Sequence, residues 1–430
     1  MTGEPPPRRS RLRNILGGSA GNLVEWFDWY VYSAFALYFA HAFFPKGDQT
    51  AQLLQTAAVF AVGFAMRPIG AWAMGMYADH KGRKAGLTLS VSLMCVGSLL
   101  IAIAPTYAQV GLLSPAILLV ARLIQGLSLG GEYGSSATYL SEIADRDRRG
   151  FWSSFQYVTI IGGQLTALAL LVVLQYALGD AAMQAWGWRI GFYVGAALAV
   201  VVFVIRRKLD ETLSFENVAA APTRRKSSAG NLFRDHPREA FLVIALTAGG
   251  TAAFYAYTIY LQKFLANTSG FDRATASRIM TVALACMLLI QPLAGRLSDR
   301  IGRRPLMIFF GASAALFTYP IFVTLETVTS PVAAFALVMT ALVIVTGYTS
   351  INAIIKAEMF PADIRALGVA LPFAIANAIF GGTAEYVALY LKGIGHERWF
   401  YIYISCLAAL SLIAYVRMRE TRTSSLIAEE

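Results

Sequence analysis

The chain has 430 residues, of which 57% are hydrophobic and 14% charged, where soluble domains carry about 25% charged residues. Mean hydropathy is +0.56, and the apolar residues come in long unbroken runs. This excludes a soluble enzyme, a disordered chain and a disulfide scaffold. Cys95, Cys286 and Cys406 each lie inside an apolar run and read as small buried hydrophobes. His41, His80, His236 and His396 are scattered without metal-ligand spacing, so no metal is expected.

A membrane-crossing helix needs about 20 mostly apolar residues. Runs that qualify fall, in chain order, near 15–43, 52–75, 86–105, 112–140, 151–177, 189–206, 239–264, 273–295, 306–325, 331–355, 366–392 and 399–416. They predict an all-α membrane protein of twelve transmembrane helices. Most runs are too long and too rich in Gly and Ala for barrel strands, which alternate over about 10 positions. The opening segment EPPPRRSRLR is basic, and the span after it carries Glu25 and Asp28 with no small-residue cleavage site. It reads as a cytoplasmic tail (1–14) and not as a removable signal.

Charge sets the expected orientation. With the N-terminus inside, 27 of the 36 Lys and Arg residues fall on the inner side and 7 outside, while Arg67 and Arg122 lie within spans. That bias places both termini in the cytoplasm. It also accounts for most of the +11 net charge, for which a nucleic-acid surface is the competing explanation. No nucleic-acid partner is expected. The longest inner loop, 207–238, contains TRRKSSAG and has linker composition. It divides a six-helix bundle over 15–206 from another over 239–416, with a second cytoplasmic tail at 417–430.

The two predicted bundles repeat one another. Gly75-Met-Tyr-Ala-Asp79-His-Lys-Gly82-Arg83-Lys84 and Gly295-Arg-Leu-Ser-Asp299-Arg-Ile-Gly302-Arg303-Arg304 share the pattern G-x-x-x-D-x-x-G-R-[KR], 220 residues apart. Glu142 with Arg149 is matched by Glu358 with Arg365, 216 residues on, and Gly162-Gly163 by Gly381-Gly382, 219 on. Three matches at nearly one offset indicate duplication.

These loop motifs resemble those of the major facilitator superfamily. GNLVEWFD, RPIG, RLIQGLSLGGEYG and WGWRI resemble its metabolite–proton symporter group, as do FQYVTIIGGQL, KAEMFPADIRALGV and ANAIFGGTAEYVAL. Leu371-Pro372 departs from that group by placing a proline inside the eleventh span. The resemblance implies two six-helix bundles that rock about a central cavity with substrate near the midplane. It further implies a proton symporter, acting as a monomer in a bacterial inner membrane, that imports a dicarboxylate such as alpha-ketoglutarate. Citrate, shikimate or a zwitterionic osmolyte are the alternative substrates.

Charges inside a bilayer are costly, so each needs a reason. Glu25, Asp28, Trp29 and Tyr32 share one helical face, as do Arg122, Gln125 and Glu132. Both faces are expected to point into the cavity. Arg122 is the leading substrate ligand, because guanidinium offers a carboxylate two hydrogen bonds. The alternative is that it only neutralises Asp28 or Glu132. If substrate engages Arg122, Asp28 loses its counter-ion and takes a proton. Glu25 and Glu132 compete for that role.

Arg67 is a second candidate for the anion, the alternative being a side chain snorkelling to headgroups. Lys263, near Tyr257, is a candidate for the distal carboxylate, against a plain interfacial Tyr/Lys belt. Tyr32 and Gln164 complete the expected binding set. Glu385 reads as structural, with no partner evident in the second half. By the resemblance, Asp79, Arg83, Glu142 and Arg149, with Asp299, Arg303, Glu358 and Arg365, latch the cytoplasmic side. Such an acid can accept hydrogen bonds from a helix N-terminus and pair with an arginine. No nucleotide-binding loop is present, so no cofactor or ATP drive is expected.

Overall fold

The computed structural model describes residues 8–81, 83–130, 133, 137–138, 140–141, 144–207, 229–361 and 364–427, with the side chains of 8–21, 75–76, 78–81, 83–84, 86–87 and 205–207 excepted. The helices used below are α1 (Arg8–Phe43), α2 (Gln49–Lys81), α3 (Arg83–Ile103), α4 (Leu113–Leu129), α5 (Arg149–Ala182) and α6 (Trp188–Arg207). After residues 208–228 come α7 (Pro237–Asn267), α8 (Arg273–Ile301), α9 (Arg303–Thr327), α10 (Pro331–Glu358), α11 (Arg365–Gly393) and α12 (Arg398–Arg417).

The result is an all-α fold built for a membrane. Among the described residues, 8 helical stretches are long and apolar enough to cross one. One of them, Arg146–Val204, is 59 residues long and holds two arms. It turns at Gly179 (φ 74) and at a π-helical turn, Met183–Gly187, so that α5 and α6 run as separate rods. Shorter apolar helices cover Thr88–Ile103 and Leu113–Leu129.

Local chemistry sets the ends. Asp272 accepts from the Thr275 backbone N–H at the start of α8, and Ser330 from Ala333 at the start of α10, which opens on Pro331. Between α8 and α9 the chain turns at Gly302 with φ 97, a conformation that L side chains rarely adopt. This explains the glycine before Arg303 in the second motif copy. Pro372 lies inside α11, and a π-helical turn at Asn377–Gly381 follows it. Ordinary i→i−4 bonding cannot continue through a proline, and the wider turn lies one coil further on.

Helices α1–α6 pack among themselves, chiefly α3 on α6, α1 on α5 and α2 on α4. Helices α7–α12 do likewise, α9 and α7 both lying on α12. The two groups meet most extensively along α5 and α8, and again where α11 crosses α2. The α2–α4 crossing is close because it is made of glycine: a Cβ on Gly126 would lie 2.2 Å from the Gly63 carbonyl oxygen.

Candidate functional site

The interior site begins on α1. Asp28 points within the α1–α6 group and not across to α7–α12. Its carboxylate accepts from the Ser98 hydroxyl on α3 and, at 2.8 Å, from the Gln125 amide on α4. Room for it comes from Gly195 on α6, whose added Cβ would sit 2.4 Å from the carboxylate oxygen. Gln125 also accepts from Arg122 Nη1 at 2.8 Å. Asp28 and Arg122 are therefore joined through one amide and not as a direct pair. Gln125 occupies the space between them, one turn along α4 from Arg122.

Arg122 is fully buried. Its guanidinium lies over Trp29 at 3.9 Å from the ring centroid and over Tyr32 at 4.4 Å. Tyr32 is fixed there by donating to the Thr56 carbonyl at 2.9 Å. Arg67 does not snorkel. It is 5% exposed, with its guanidinium 4.1 Å from Trp29 and 4.0 Å from Phe64. Trp29 thus holds two guanidinium groups against its ring system. On both arginines Nε and Nη2 have no hydrogen-bond partner. Cation–π contact partly offsets the burial of such charges but leaves their N–H groups aimed and unused.

Lys263 on α7 is likewise buried, which corrects the interfacial-belt reading. It pairs with Glu385 on α11 at 2.6 Å and donates to Ser33 on α1 at 2.7 Å. Glu385 accordingly has a second-half partner after all, one that sequence could not reveal at a separation of 122 positions. Tyr257 bonds Thr318 within the α7–α12 group. Gln164 reaches across the groups to the Thr258 carbonyl at 2.5 Å. Glu25 is buried on the same helix as Asp28. Glu132 lies outside the described residues.

At the end of the molecule that carries the repeated loop motifs, the second copy is fully described. Asp299 pairs with Arg303 at 2.8 Å and accepts from the backbone N–H groups of Gly150 (2.7 Å) and Phe151 (2.9 Å). An acid from one helix group thereby caps the N-terminus of α5 in the other. Arg303 also lies 3.6 Å from Glu358. Arg365 donates to the Ala357 and Phe360 carbonyls at 3.1 and 3.0 Å. Glu142 and the side chains of Asp79 and Arg83 lie outside the described residues.

Sequence reasoning missed a strap over this end. Glu420 accepts from the Arg303 and Arg304 backbone N–H groups at 2.8 and 3.0 Å, and Thr421 donates to Glu358 at 2.5 Å. Arg365 donates to the Leu426 carbonyl at 2.8 Å, and Arg149 to Ser425 at 3.5 Å. The segment read as a plain tail is thus docked on the arginines and glutamate of the motif end. Nothing in its Ser- and Thr-rich composition marks it for that.

The opposite end is joined as well. Asp180 pairs with Arg273 at 3.0 Å, and Gln175 donates to Tyr38 at 2.8 Å. A cavity of about 370 Å³ opens there, lined by Tyr38, Gln175, Asp180 and Arg273 among others. Arg189 donates to the Ala102 and Ala104 carbonyls at 2.7 Å and so closes the end of α3.

The interior thus holds two buried arginines with free N–H groups, between ends joined by the Asp299 cap and by the Asp180–Arg273 pair. The family model described as sugar (and other) transporter matches residues 15–430. The chain belongs to that family of transporters, within the metabolite–proton symporter group of the major facilitator superfamily. It is 57% identical over 406 residues to the alpha-ketoglutarate permease of Escherichia coli K12, covering 94% of this chain and 93% of that one. It is 33% identical over 382 residues to a citrate-proton symporter of Klebsiella pneumoniae, covering 88% and 85%. Among solved structures, the inward-open xylose transporter XylE from E. coli superposes with a TM-score of 0.71 at 17% identity, covering 96% of this chain and 98% of that one.

Proposed function

We propose that this protein is a secondary-active proton symporter that imports alpha-ketoglutarate across a bacterial inner membrane. Two six-helix bundles, residues 15–206 and 239–416, alternate access to a midplane site. Both termini, the 207–238 linker and the motif end are cytoplasmic. The observation that carries this reading is the pair of buried guanidinium groups, Arg67 and Arg122, flanking Trp29 with N–H groups unpartnered. A dianion supplies the missing acceptors, with one carboxylate forked by Arg122. The 57% identity to the E. coli permease supports alpha-ketoglutarate as that dianion.

Import of a dianion against an inside-negative potential costs about 4.6 kcal/mol per 100 mV, twice the single-charge figure. Protons must therefore accompany it. Gln125 supports a direct coupling route, since one amide serves both ends. When Arg122 turns to the substrate, the Gln125 carbonyl loses its donor and the amide is released to rotate. Asp28 then loses an N–H donor, and a proton replaces it. Departure of the substrate restores the Arg122–Gln125–Asp28 chain and expels the proton. The Asp299 cap on the N-terminus of α5 holds the cytoplasmic end shut until the loaded carrier rocks.

The test is uptake of labelled alpha-ketoglutarate into proteoliposomes under an imposed proton gradient, with citrate, shikimate and betaine as competitors. Accumulation that collapses with a protonophore is expected, with dicarboxylates competing best. Accumulation indifferent to the protonophore removes symport, and stronger competition by betaine removes the dicarboxylate.

A further inference from the structure

Lys356 is among the 27 Lys and Arg residues that the charge bias assigns to the inner side. The structure buries it. It is 1% exposed, on the last turns of α10, with its ammonium 4.0 Å from the Phe373 ring centroid and 5.5 Å from that of Tyr133. Tyr133 and Phe373 stack on each other from opposite helix groups at 3.7 Å. Its Nζ has no hydrogen-bond partner. Lys263, the other buried lysine among the described residues, has Glu385 for a partner, and Arg303 has Asp299. No acid among the described residues is paired with Lys356. A buried ammonium without acceptors is costly, and an anion is what relieves it.

Its position relates two sites already described. One turn before it, Asn352 donates to the phenol oxygens of both Tyr133 and Tyr157 at 3.1 Å. Tyr157 packs on Phe254 (5.4 Å), Phe254 on Tyr255 (5.3 Å), and Tyr255 on Phe64 (5.1 Å), the ring that carries Arg67. Two residues after Lys356 is Glu358, which meets Arg303 and Thr421 at the motif end. Lys356 therefore stands along the interface of the two groups, behind the motif-end closure and at the far end of a run of aromatic rings from the arginines.

We infer that Lys356 is a second anion subsite, which receives a carboxylate of the dicarboxylate on its way out through the motif end. The inference rests on the reading of the protein as a dicarboxylate carrier. Its ligand chemistry is a carboxylate engaged by one ammonium and the hydroxyls of Tyr133 and Tyr157. The aromatic walls exclude water and leave the ammonium donors for the ligand. Opening of the motif end separates Tyr133 from Phe373, because they belong to different groups, and so uncovers the lysine.

The experiment uses the full-length protein in proteoliposomes, with alpha-ketoglutarate as probe and orientation sorted by side-specific inhibition. Lys356→Met keeps the bulk and removes the charge. Lys356→Arg keeps the charge. The expected result is about a tenfold weaker apparent affinity for alpha-ketoglutarate added from the motif side in Lys356→Met. Affinity from the opposite side should stay within about twofold, and Lys356→Arg should restore most of the loss. Equal affinity from both sides in Lys356→Met, or an equal loss in Lys356→Arg, overturns the subsite. Should Lys356→Met fail to assemble, wild-type protein serves. Amine acetylation of Lys356, read by mass spectrometry, is expected to slow when alpha-ketoglutarate is present, and unchanged labelling at saturating substrate overturns the proposal. If wild-type protein shows no alpha-ketoglutarate counterflow at all, the carrier reading fails instead, so the two failures are distinct.

Discussion

Two buried ionic clusters face each other across the interface, and they are built on opposite terms. In the α7–α12 group, Lys263 has its acid, Glu385, at 2.6 Å, and a hydroxyl, Ser33, at 2.7 Å. In the α1–α6 group, Arg67 and Arg122 have rings in place of acids, and their Nε and Nη2 atoms go unpartnered. The first cluster is complete without a ligand. The second is not. A matched buried pair is close to neutral and adds little beyond specificity, whereas an unmatched cation keeps its full demand for an anion. The two interior clusters thus differ in whether their cations are already matched.

Several measurements would break or sharpen that contrast. The largest effect is expected at Arg122. Each hydrogen bond to a charged group is worth about 1.5–3 kcal/mol, so Arg122→Gln, which removes two, should cut initial uptake of alpha-ketoglutarate at least about a hundredfold. Arg122→Lys should fall between, since it keeps charge and loses the fork. Uptake unchanged in Arg122→Lys would remove the bidentate contact from the scheme.

Next comes the matched pair. Lys263→Met alone strands a buried carboxylate and should cost about 3–5 kcal/mol of stability, seen as a lower melting temperature in detergent. The double variant Lys263→Met with Glu385→Met should recover most of that loss. A double variant that is stable yet unable to exchange substrate would place this pair in binding, and the contrast between clusters would fail.

Asp28→Asn separates transport from coupling. Counterflow of labelled substrate should persist within about threefold, while accumulation driven by a proton gradient is lost. Equal loss of both would make Asp28 a packing residue of α1. The smallest effect is expected at the strap. Glu420→Ala removes two backbone acceptor contacts at the start of α9, of about 1 kcal/mol each. Alkylation of a cysteine placed at the motif end should speed up by about tenfold, with little change in substrate affinity. No change in labelling would leave the strap without a part in closure.

The aspartate of the motif shows how far local pattern reaches. Its spacing to Arg303 and its place at a helix end were legible in one dimension, because a turn of helix brings i and i+4 together. The neighbour it caps, α5, was nameable only as a class. Phe373 and Tyr133 were legible only as apolar and aromatic residues in different spans, and their stacking required two helices to meet. Gln125 was visible on the Arg122 face, but not as the bridge to Asp28, because the rotation of α1 toward α3 and α6 is decided by Gly195 and Ser98.

What the amino-acid order determined by itself was the solvent and the plan. Long apolar runs, the asymmetric placement of Lys and Arg, and a repeat near 220 residues follow from transfer energies and from gene duplication, and each can be read along the chain. What only the tertiary structure decided was which charges have partners. Lys263 and Lys356 are chemically identical and equally buried, yet one meets Glu385 and the other meets two rings. That difference depends on how helices far apart in sequence are rotated about their axes, and one-dimensional spacing carries no record of that angle.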